Sequence, residues 1–292
     1  MKRVLAAIVI IGILALIPIS NCYANGSGTT TANFLKIGVG ARAAAMGEAF
    51  TALADDGTSL YWNPAGLTQL EERAFSATYN SWLEGISQGY LSLIFPSSRG
   101  TLGFGMNYVD MGKLEARDEY GNLIGDFGAL DIHLFAGYAD KFKNISWGIT
   151  AGWLEDTIEK DTKTTFLGNI GLVYPLSERF TLGTVAQNIG SKLGSDPLPL
   201  IFKVGAASKT KTLTVALDIA KPQDNEIYYC LGVEWWLRDV LALRVGYKTN
   251  QDVGQRVTAG IGYTFGRIRL DYAYVPYGDL GDTHRISLGM EF

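Results

Sequence analysis

From Arg73 to the end of the chain, apolar side chains recur at every second residue in one segment after another. The last segment shows the pattern, with His284, Ile286, Leu288, Met290 and Phe292 on one face and Arg285, Ser287, Gly289 and Glu291 on the other. Because successive side chains of a β-strand point to opposite faces, each segment predicts a strand with one apolar and one polar side. Such a chain folds as a sandwich or as a barrel.

The segments number fourteen, an even count that returns both ends of a barrel to the same side. The predicted strands are 73–83, 85–96, 99–110, 127–140, 143–155, 161–174, 178–189, 199–209, 211–220, 224–236, 239–249, 255–265, 267–275 and 282–292. Glycine, at 35 of 292 residues, and 34 aromatic residues (15 Tyr, 13 Phe, 6 Trp) also favour strands and turns over helices.

Two features favour a transmembrane barrel over a soluble sandwich. The apolar faces end in aromatic residues, as the interfacial girdles of outer-membrane barrels do: Trp153, Tyr174, Tyr247, Tyr263, Phe265, Tyr272 and Tyr274. Tight turns also alternate with longer polar loops, the longest predicted at 111–127. Short periplasmic turns and longer external loops are typical of these barrels. The fold prediction is an all-β, 14-stranded antiparallel transmembrane β-barrel.

The polar faces of the last strands carry charges. In a closed barrel these charges face the water-filled lumen, because an Arg or Lys on the lipid face would cost about 2–4 kcal/mol at mid-depth. The predicted lumen charges are Arg244, Lys248, Arg267, Arg269, Asp271 and Arg285.

The chain begins with Lys2 and Arg3, an apolar run and a small-residue site at Ala24, which predicts a signal peptide over 1–24. A transmembrane helix is disfavoured because the apolar run is short and no basic flank follows it. Lipidation at Cys22 is the lesser alternative, because Asn21 is bulky for a lipoprotein signal. The mature protein is expected to be exported to the outer membrane.

Residues 25–72 lie between the signal peptide and the predicted barrel over 73–292, and they contain a glycine-rich stretch beginning at Gly38 and Gly40. This stretch is close to a dinucleotide-binding fingerprint, but no βαβ unit and no alternation of helices with parallel strands accompany it. We therefore interpret Gly38, Gly40 and Gly47 as packing positions of a hatch that plugs the barrel.

The stretch "FLKIGVGARAAAMGEAFTALADDGTSLYWNPAGL" resembles the N-terminal signature of the PorV/PorQ family of outer-membrane proteins. More distantly, it is similar to the hatch of FadL-type long-chain fatty-acid channels. The C-terminal "DYAYVPYGDLGDTHRISLGMEF" is similar to the end of the same family. The resemblance implies a FadL-like barrel, a hatch motif at Asn63, Pro64 and Ala65 with the paired acids Asp55 and Asp56, and a barrel-assembly signal at Phe292. A structural turn and cap is the favoured role of these hatch residues, with ligand contact as the alternative.

Several functional classes are disfavoured. The net charge of −4 and the absence of a basic cluster argue against nucleic-acid binding. The two His residues, His133 and His284, fall on different predicted strands, and no nucleophile or metal-ligand motif occurs, so we expect neither an enzyme nor a metal or cofactor. After signal cleavage only Cys230 remains, which excludes an intrachain disulfide.

The resemblance implies passive binding or transport of small hydrophobic molecules across the outer membrane. The alternative is an accessory or substrate-shuttle component of a type IX-like secretion system, since some PorV-like proteins serve such systems. The expected partners are outer-membrane lipid, the barrel-assembly machinery and either a hydrophobic ligand or secretion-system subunits.

Overall fold

The computed structural model describes residues 28–249 and 256–292. The predicted signal peptide over 1–24, the alternative lipidation site Cys22 and the loop between the predicted strands 239–249 and 255–265 lie outside the described residues. Within the described ranges, no helix is long and apolar enough to cross a membrane.

In the part of the chain that the structure describes, fourteen antiparallel strands form one closed barrel in which every strand pairs with its sequence neighbours and β1 pairs with β14. This confirms the predicted fold class. The strands are β1 Ala74–Ser81, β2 Ser87–Ser97, β3 Gly100–Arg117, β4 Leu123–Phe142, β5 Ile145–Ile158, β6 Asp161–Pro175, β7 Phe180–Gly190, β8 Ile201–Lys209, β9 Leu213–Pro222, β10 Tyr228–Leu237, β11 Leu241–Lys248, β12 Val257–Phe265, β13 Ile268–Pro276 and β14 Asp282–Glu291.

The barrel has a short-turn end and a long-loop end. The short-turn end holds both barrel termini, where the Phe292 backbone N–H donates to the Arg73 carbonyl, and six connectors of two to four residues. The long-loop end holds the other connectors, including residues 191–200 between β7 and β8.

The surface is apolar outside and polar inside. On β14, Ile286 is 57 % exposed whereas the neighbouring Arg285 is 1 % exposed. The same inversion runs around the barrel, because every strand exposes large aliphatic or aromatic side chains and many buried strand residues are polar or charged. A soluble protein distributes its residues in the opposite way.

Strands β3 and β4 are longer than predicted. The loop predicted at 111–127 is mostly a hairpin that continues both strands, and only residues 118–122 connect them. A bulge between Asp110 and Lys113 interrupts the register at the point where β2 stops pairing with β3. Beyond that point water reaches both faces of the hairpin, so the alternating pattern disappears while the backbone pairing continues.

The hatch, residues 28–73, fills the lumen with short helices and turns. Its elements are a 3₁₀ turn over Asn33–Lys36, helix α1 over Ala41–Ala45, helix α2 over Ser59–Trp62 and a 3₁₀ turn over Pro64–Gln69. Within the alanine-rich stretch after Gly40, the α-helix extends over only five residues. Gly47 and Glu48 both adopt positive φ, at 62° and 66°, and this conformation ends the helix.

Candidate functional site

A cavity of about 360 Å³ opens at the long-loop end between the hatch and the barrel wall. We call it the mouth cavity. Its lining combines three aromatic residues with aliphatic and polar ones: Trp82, Tyr228, Tyr277, Ile37, Leu83, Ile201, Pro222, Leu280, Asn33, Lys36, Asp224, Asn225 and Lys248. Because both the hatch and the strand ends contribute, the cavity depends on the position of the hatch.

Aromatic rings stiffen one wall of the mouth cavity. The rings of Trp82 and Tyr277 pack edge to face with centroids 5.0 Å apart. The Arg285 guanidinium carbon lies 5.8 Å from the centroid of Trp82, and the Lys248 ammonium lies 4.9 Å from that of Tyr228. The wall therefore presents apolar ring surface that is held in place by edge-to-face and cation–π contacts.

The two lysines of the mouth cavity are already paired with carboxylates. Lys36 bonds to Asp224, which also accepts from the Thr30 hydroxyl at 2.5 Å, and Lys248 bonds to Glu48 at 2.6 Å. Burial alone would raise the pKa of the Glu48 carboxyl, but Lys248 and Lys203 outweigh it and lower the pKa. These pairs reduce the attraction that the cavity exerts on a small anion.

The floor of the mouth cavity is the hatch segment that contains Asn33, Lys36 and Ile37. The Tyr61 hydroxyl donates to the Leu35 carbonyl at 2.8 Å, and the Trp62 indole donates to the Val39 carbonyl at 2.9 Å. From the barrel wall, Arg285 donates to the Gly38 carbonyl at 2.7 Å. The floor is therefore held largely by hydrogen bonds to backbone carbonyls.

The hatch glycines lie where the backbone closely approaches a neighbour. A Cβ at Gly38 would lie 2.7 Å from the Trp62 ring, and one at Gly40 would lie 2.9 Å from the Thr58 methyl group. At Gly47 it would lie 2.6 Å from the Tyr247 backbone nitrogen on β11. Any larger residue at these positions would push the hatch away from its neighbours.

The Asn63-Pro64-Ala65 turn is inserted against β5 to β7. The Asn63 side chain accepts from the Ala65 backbone N–H at 3.2 Å and donates to the Thr51 carbonyl at 2.8 Å. Glycines of the barrel wall leave room for the turn. A Cβ at Gly171 would lie 2.0 Å from the Asn63 side-chain oxygen, and one at Gly148 would lie 2.4 Å from the Pro64 carbonyl carbon. The turn is thus buried against the wall and does not line the mouth cavity.

A network of ion pairs ties the hatch to the barrel towards the short-turn end. We call it the ionic latch, and its members are Arg42, Asp55 and Asp56 of the hatch and Lys209, Glu234, Arg244, Arg269 and Asp271 of the barrel. Four basic groups meet four acidic groups, so the latch is neutral overall.

Arg42 is the centre of the ionic latch. Its guanidinium donates twice to Glu234, at 2.8 Å each, and once to Asp55 at 2.6 Å. Burial alone would raise the pKa of the Asp55 carboxyl, but Arg42 and Lys209 outweigh it and hold the pKa at about 2. Burial alone would lower the pKa of Arg42, but Asp55 and Glu234 raise it well above its ordinary value. Both groups therefore stay charged at neutral pH.

The predicted lumen charges divide into three groups. Arg244, Arg269 and Asp271 belong to the ionic latch, with Arg244 bonding to Asp271 at 2.7 Å and Asp271 to Arg269 at 3.0 Å. Lys248 and Arg285 lie beside the mouth cavity. Arg267 does not face the lumen as predicted: it lies in the two-residue turn before β13, is 65 % exposed and pairs with Glu72 at 3.4 Å.

Sequence reasoning missed the partners of these residues. The position of Glu234 on the polar face of a predicted strand indicates that it faces the lumen, and this was the only hint of its role. Arg42 lies within the glycine-rich stretch of the hatch, which gave no such hint. Nothing in the sequence joins Trp82, Tyr228 and Tyr277, because the closure of the barrel brings them together. In the described parts of the chain, no group of three or more His, Cys, Asp or Glu residues is arranged to hold a metal ion.

Comparison with known proteins supports the architecture. A model of the uncharacterised protein family UPF0164 matches residues 18–152. No curated protein sequence matches the chain. The structure is similar to that of the Pseudomonas putida toluene transporter TodX, with a TM-score of 0.61 at 15 % identity over 86 % of this chain and 96 % of that one.

Two other solved structures show the same likeness. The monoaromatic hydrocarbon channel CymD aligns with a TM-score of 0.62 at 15 % identity, over 88 % of this chain and 98 % of that chain. A FadL homologue from Pseudomonas aeruginosa aligns with a TM-score of 0.58 at 12 % identity, over 87 % and 98 %. The chain therefore has the FadL-like barrel fold.

Proposed function

We propose that this protein is an outer-membrane channel that binds small hydrophobic molecules in the mouth cavity and lets them cross passively. The observation that carries the proposal is the mouth cavity itself, which the hatch and the barrel wall form jointly and which three aromatic, five aliphatic and five polar residues line. The fold that this chain shares with the toluene transporter TodX and the monoaromatic hydrocarbon channel CymD supports it.

The exposed surface supports placement in a membrane. A closed sheet pairs its backbone groups without leaving an edge, and the apolar outer face suits hydrocarbon. Short connectors of outer-membrane barrels face the periplasm, so we assign the short-turn end to the periplasm and the long-loop end to the exterior. The mouth cavity then opens toward the medium from which a ligand arrives.

The mouth cavity suits a compact apolar ligand. Its volume of about 360 Å³ lies at the lower end of the range typical of small-molecule sites. Because both lysines already have carboxylate partners, an anionic ligand would compete with Asp224 and Glu48 for them. A neutral aromatic molecule has no such competition and can stack on the rings of Trp82 and Tyr277.

Passage requires the cavity floor to move. The ionic latch ties the hatch through Arg42, Asp55 and Asp56, all of which follow Gly40. The segment over 33–40 is held to the barrel by fewer bonds: the Lys36 pair with Asp224, the Arg285 bond to Gly38 and a 3.1 Å bond from Gln88 to the Ile37 carbonyl. We propose that this segment shifts while the latch holds the rest of the hatch.

The proposal is tested by ligand binding and uptake with purified protein in lipid vesicles. Toluene and a medium-chain fatty acid serve as probes. Tryptophan fluorescence measures their binding, and their entry into the vesicles measures uptake. Replacing Tyr277 by Ala removes part of the cavity wall and is expected to weaken toluene binding about tenfold. The control, Tyr263→Ala, truncates an exposed tyrosine near the short-turn end and is expected to leave binding unchanged. A wild-type protein that neither binds nor passes either probe would contradict the proposal.

The secretion role stays a sequence-based prediction, as does membership of the PorV/PorQ family. No contact among the described residues favours that role over ligand passage. Cell fractionation combined with heat-modifiable gel mobility tests the barrel and its outer-membrane location together, because folded barrels run differently from unfolded chains.

A further inference from the structure

The six connectors of the short-turn end share one feature. Each contains one basic residue, and the six together contain two acids, Glu178 and Asp239. The basic residues are Arg99, Lys143, Arg179, Lys211, Arg238 and Arg267, and all six are exposed. We call this ring of basic residues the basic rim.

The long-loop end has the opposite charge. Six of its connectors lie wholly within the described residues, over 82–86, 118–122, 159–160, 191–200, 223–227 and 277–281. They contain eight acidic residues and two basic ones, Lys160 and Lys192. The net charge of the connectors is therefore opposite at the two ends of the barrel, although the whole chain has a net charge of only −4.

Protein carboxylates neutralise little of the basic rim. Lys211, with a side chain 82 % exposed, lies 3.3 Å from Asp239, and Arg267 lies 3.4 Å from Glu72. Among the described residues, the other four rim side chains take part in no ion pair. Exposed pairs of this kind are weak, so the rim carries positive charge that is available to an external anion.

Aromatic side chains place the basic rim at the level of lipid head groups. Phe142, Phe180 and Phe265 are exposed at the strand ends that adjoin it, and Trp235 lies two residues before the end of β10. The Lys143 ammonium lies 5.4 Å from the centroid of the Phe142 ring. Aromatic girdles mark the interface of a bilayer, so residues just beyond the girdle meet the head groups.

We propose that the basic rim binds the phosphate groups of anionic phospholipids in the leaflet that faces the short-turn end. Because each connector carries one cation, the rim contacts lipids around the whole barrel and has no single pocket. This interaction, together with the acidic long-loop end, holds the barrel in one orientation. The inference rests on the membrane placement proposed above and is independent of ligand passage.

The test compares anionic with zwitterionic lipid around the same barrel. The protein is folded into phosphatidylcholine vesicles in which a rising fraction is dibrominated phosphatidylglycerol or dibrominated phosphatidylcholine, and quenching of tryptophan fluorescence reports the lipid in contact. We expect wild-type protein to prefer phosphatidylglycerol by about fivefold, the factor typical of a basic residue at an anionic surface. The preference should vanish in about 1 M salt, where charges are screened within about 3 Å.

A matched pair of variants assigns the preference to the basic rim. The first carries Arg99→Gln, Lys143→Gln, Arg179→Gln and Arg238→Gln, and it is expected to lose the preference. The control carries four neutral substitutions of exposed lysines toward the long-loop end, Lys113→Gln, Lys160→Gln, Lys163→Gln and Lys192→Gln, and is expected to keep it.

Insertion is checked in every sample by heat-modifiable mobility. If the quadruple rim variant fails to insert, the two pairs Arg99→Gln with Lys143→Gln and Arg179→Gln with Arg238→Gln are measured separately, and each should lose part of the preference. An inserted wild-type barrel without lipid preference, or an inserted rim variant that keeps it, would overturn the inference while the membrane placement stands. Failure of the wild-type protein to insert would overturn both.

Discussion

Replacing Arg42 by Met tests whether the ionic latch holds the hatch in the barrel. The substitution keeps the length and most of the apolar stem of the side chain but removes the guanidinium. Arg42 is 5 % exposed and contacts three carboxylates, those of Glu234, Asp55 and Asp56. The variant therefore leaves buried negative charge behind.

The magnitude follows from the partners that remain. Removing one member of a buried ion pair costs about 3–5 kcal/mol. Glu234 keeps Arg244 at 2.7 Å, Asp55 keeps Lys209 and Asp56 keeps Arg269 at 2.9 Å, so no carboxylate is left without a cation. We therefore expect a loss of about 3 kcal/mol in the free energy of unfolding, at the lower end of that range.

The assay is urea unfolding of the barrel in lipid vesicles, followed by tryptophan fluorescence, with proteolysis of the hatch as a second readout. Arg117→Met is the control, because Arg117 forms an exposed pair with Glu115 that is expected to contribute less than about 1 kcal/mol. A double-mutant cycle with Glu234→Gln should give a coupling energy of about 1–3 kcal/mol. A cost below about 1 kcal/mol for Arg42→Met, or additive costs in the cycle, would refute the latch.

Three further outcomes follow. The pKa of Asp55 in the folded protein, about 2, lies below its ordinary value of 3.8. Its contribution of about 2 kcal/mol to the free energy of unfolding is therefore present above pH 4 and is lost as the pH falls to about 2. Asp55→Asn should lower the unfolding free energy at pH 7 and flatten its decline in acid, and an unchanged acid profile would contradict this. Gly47→Ala should cost more stability than Gly121→Ala, because both positions have positive φ but only Gly47 abuts the backbone of β11, and equal costs would argue against close packing. Phe292→Ala should slow barrel formation, measured by the rate at which the heat-modifiable band appears, whereas Phe180→Ala should not; equal rates would remove Phe292 from the assembly signal.

The strands could be predicted from the sequence because, within the barrel, each of the two faces of a strand meets a single environment. Leu288 and Ile286 meet the apolar exterior and Arg285 and Ser287 the polar lumen, so the period of two appears directly in the chain. Where both faces meet water, as in the hairpin beyond Asp110, the pattern no longer indicates a strand. The same limit explains the wrong prediction for Arg267, which was expected to face the lumen but lies in the turn just before β13.

The amino-acid sequence by itself determined the closed antiparallel barrel, its fourteen strands and the polarity of its two faces, because these depend on local alternation. Only the tertiary structure decided that Arg42 meets Glu234, that Lys36 meets Asp224, and that Trp82, Tyr228 and Tyr277 surround one cavity. These residues lie far apart in the chain, and closing the sheet around the hatch brings them together. Their contacts follow from barrel register and hatch position, which no local pattern encodes.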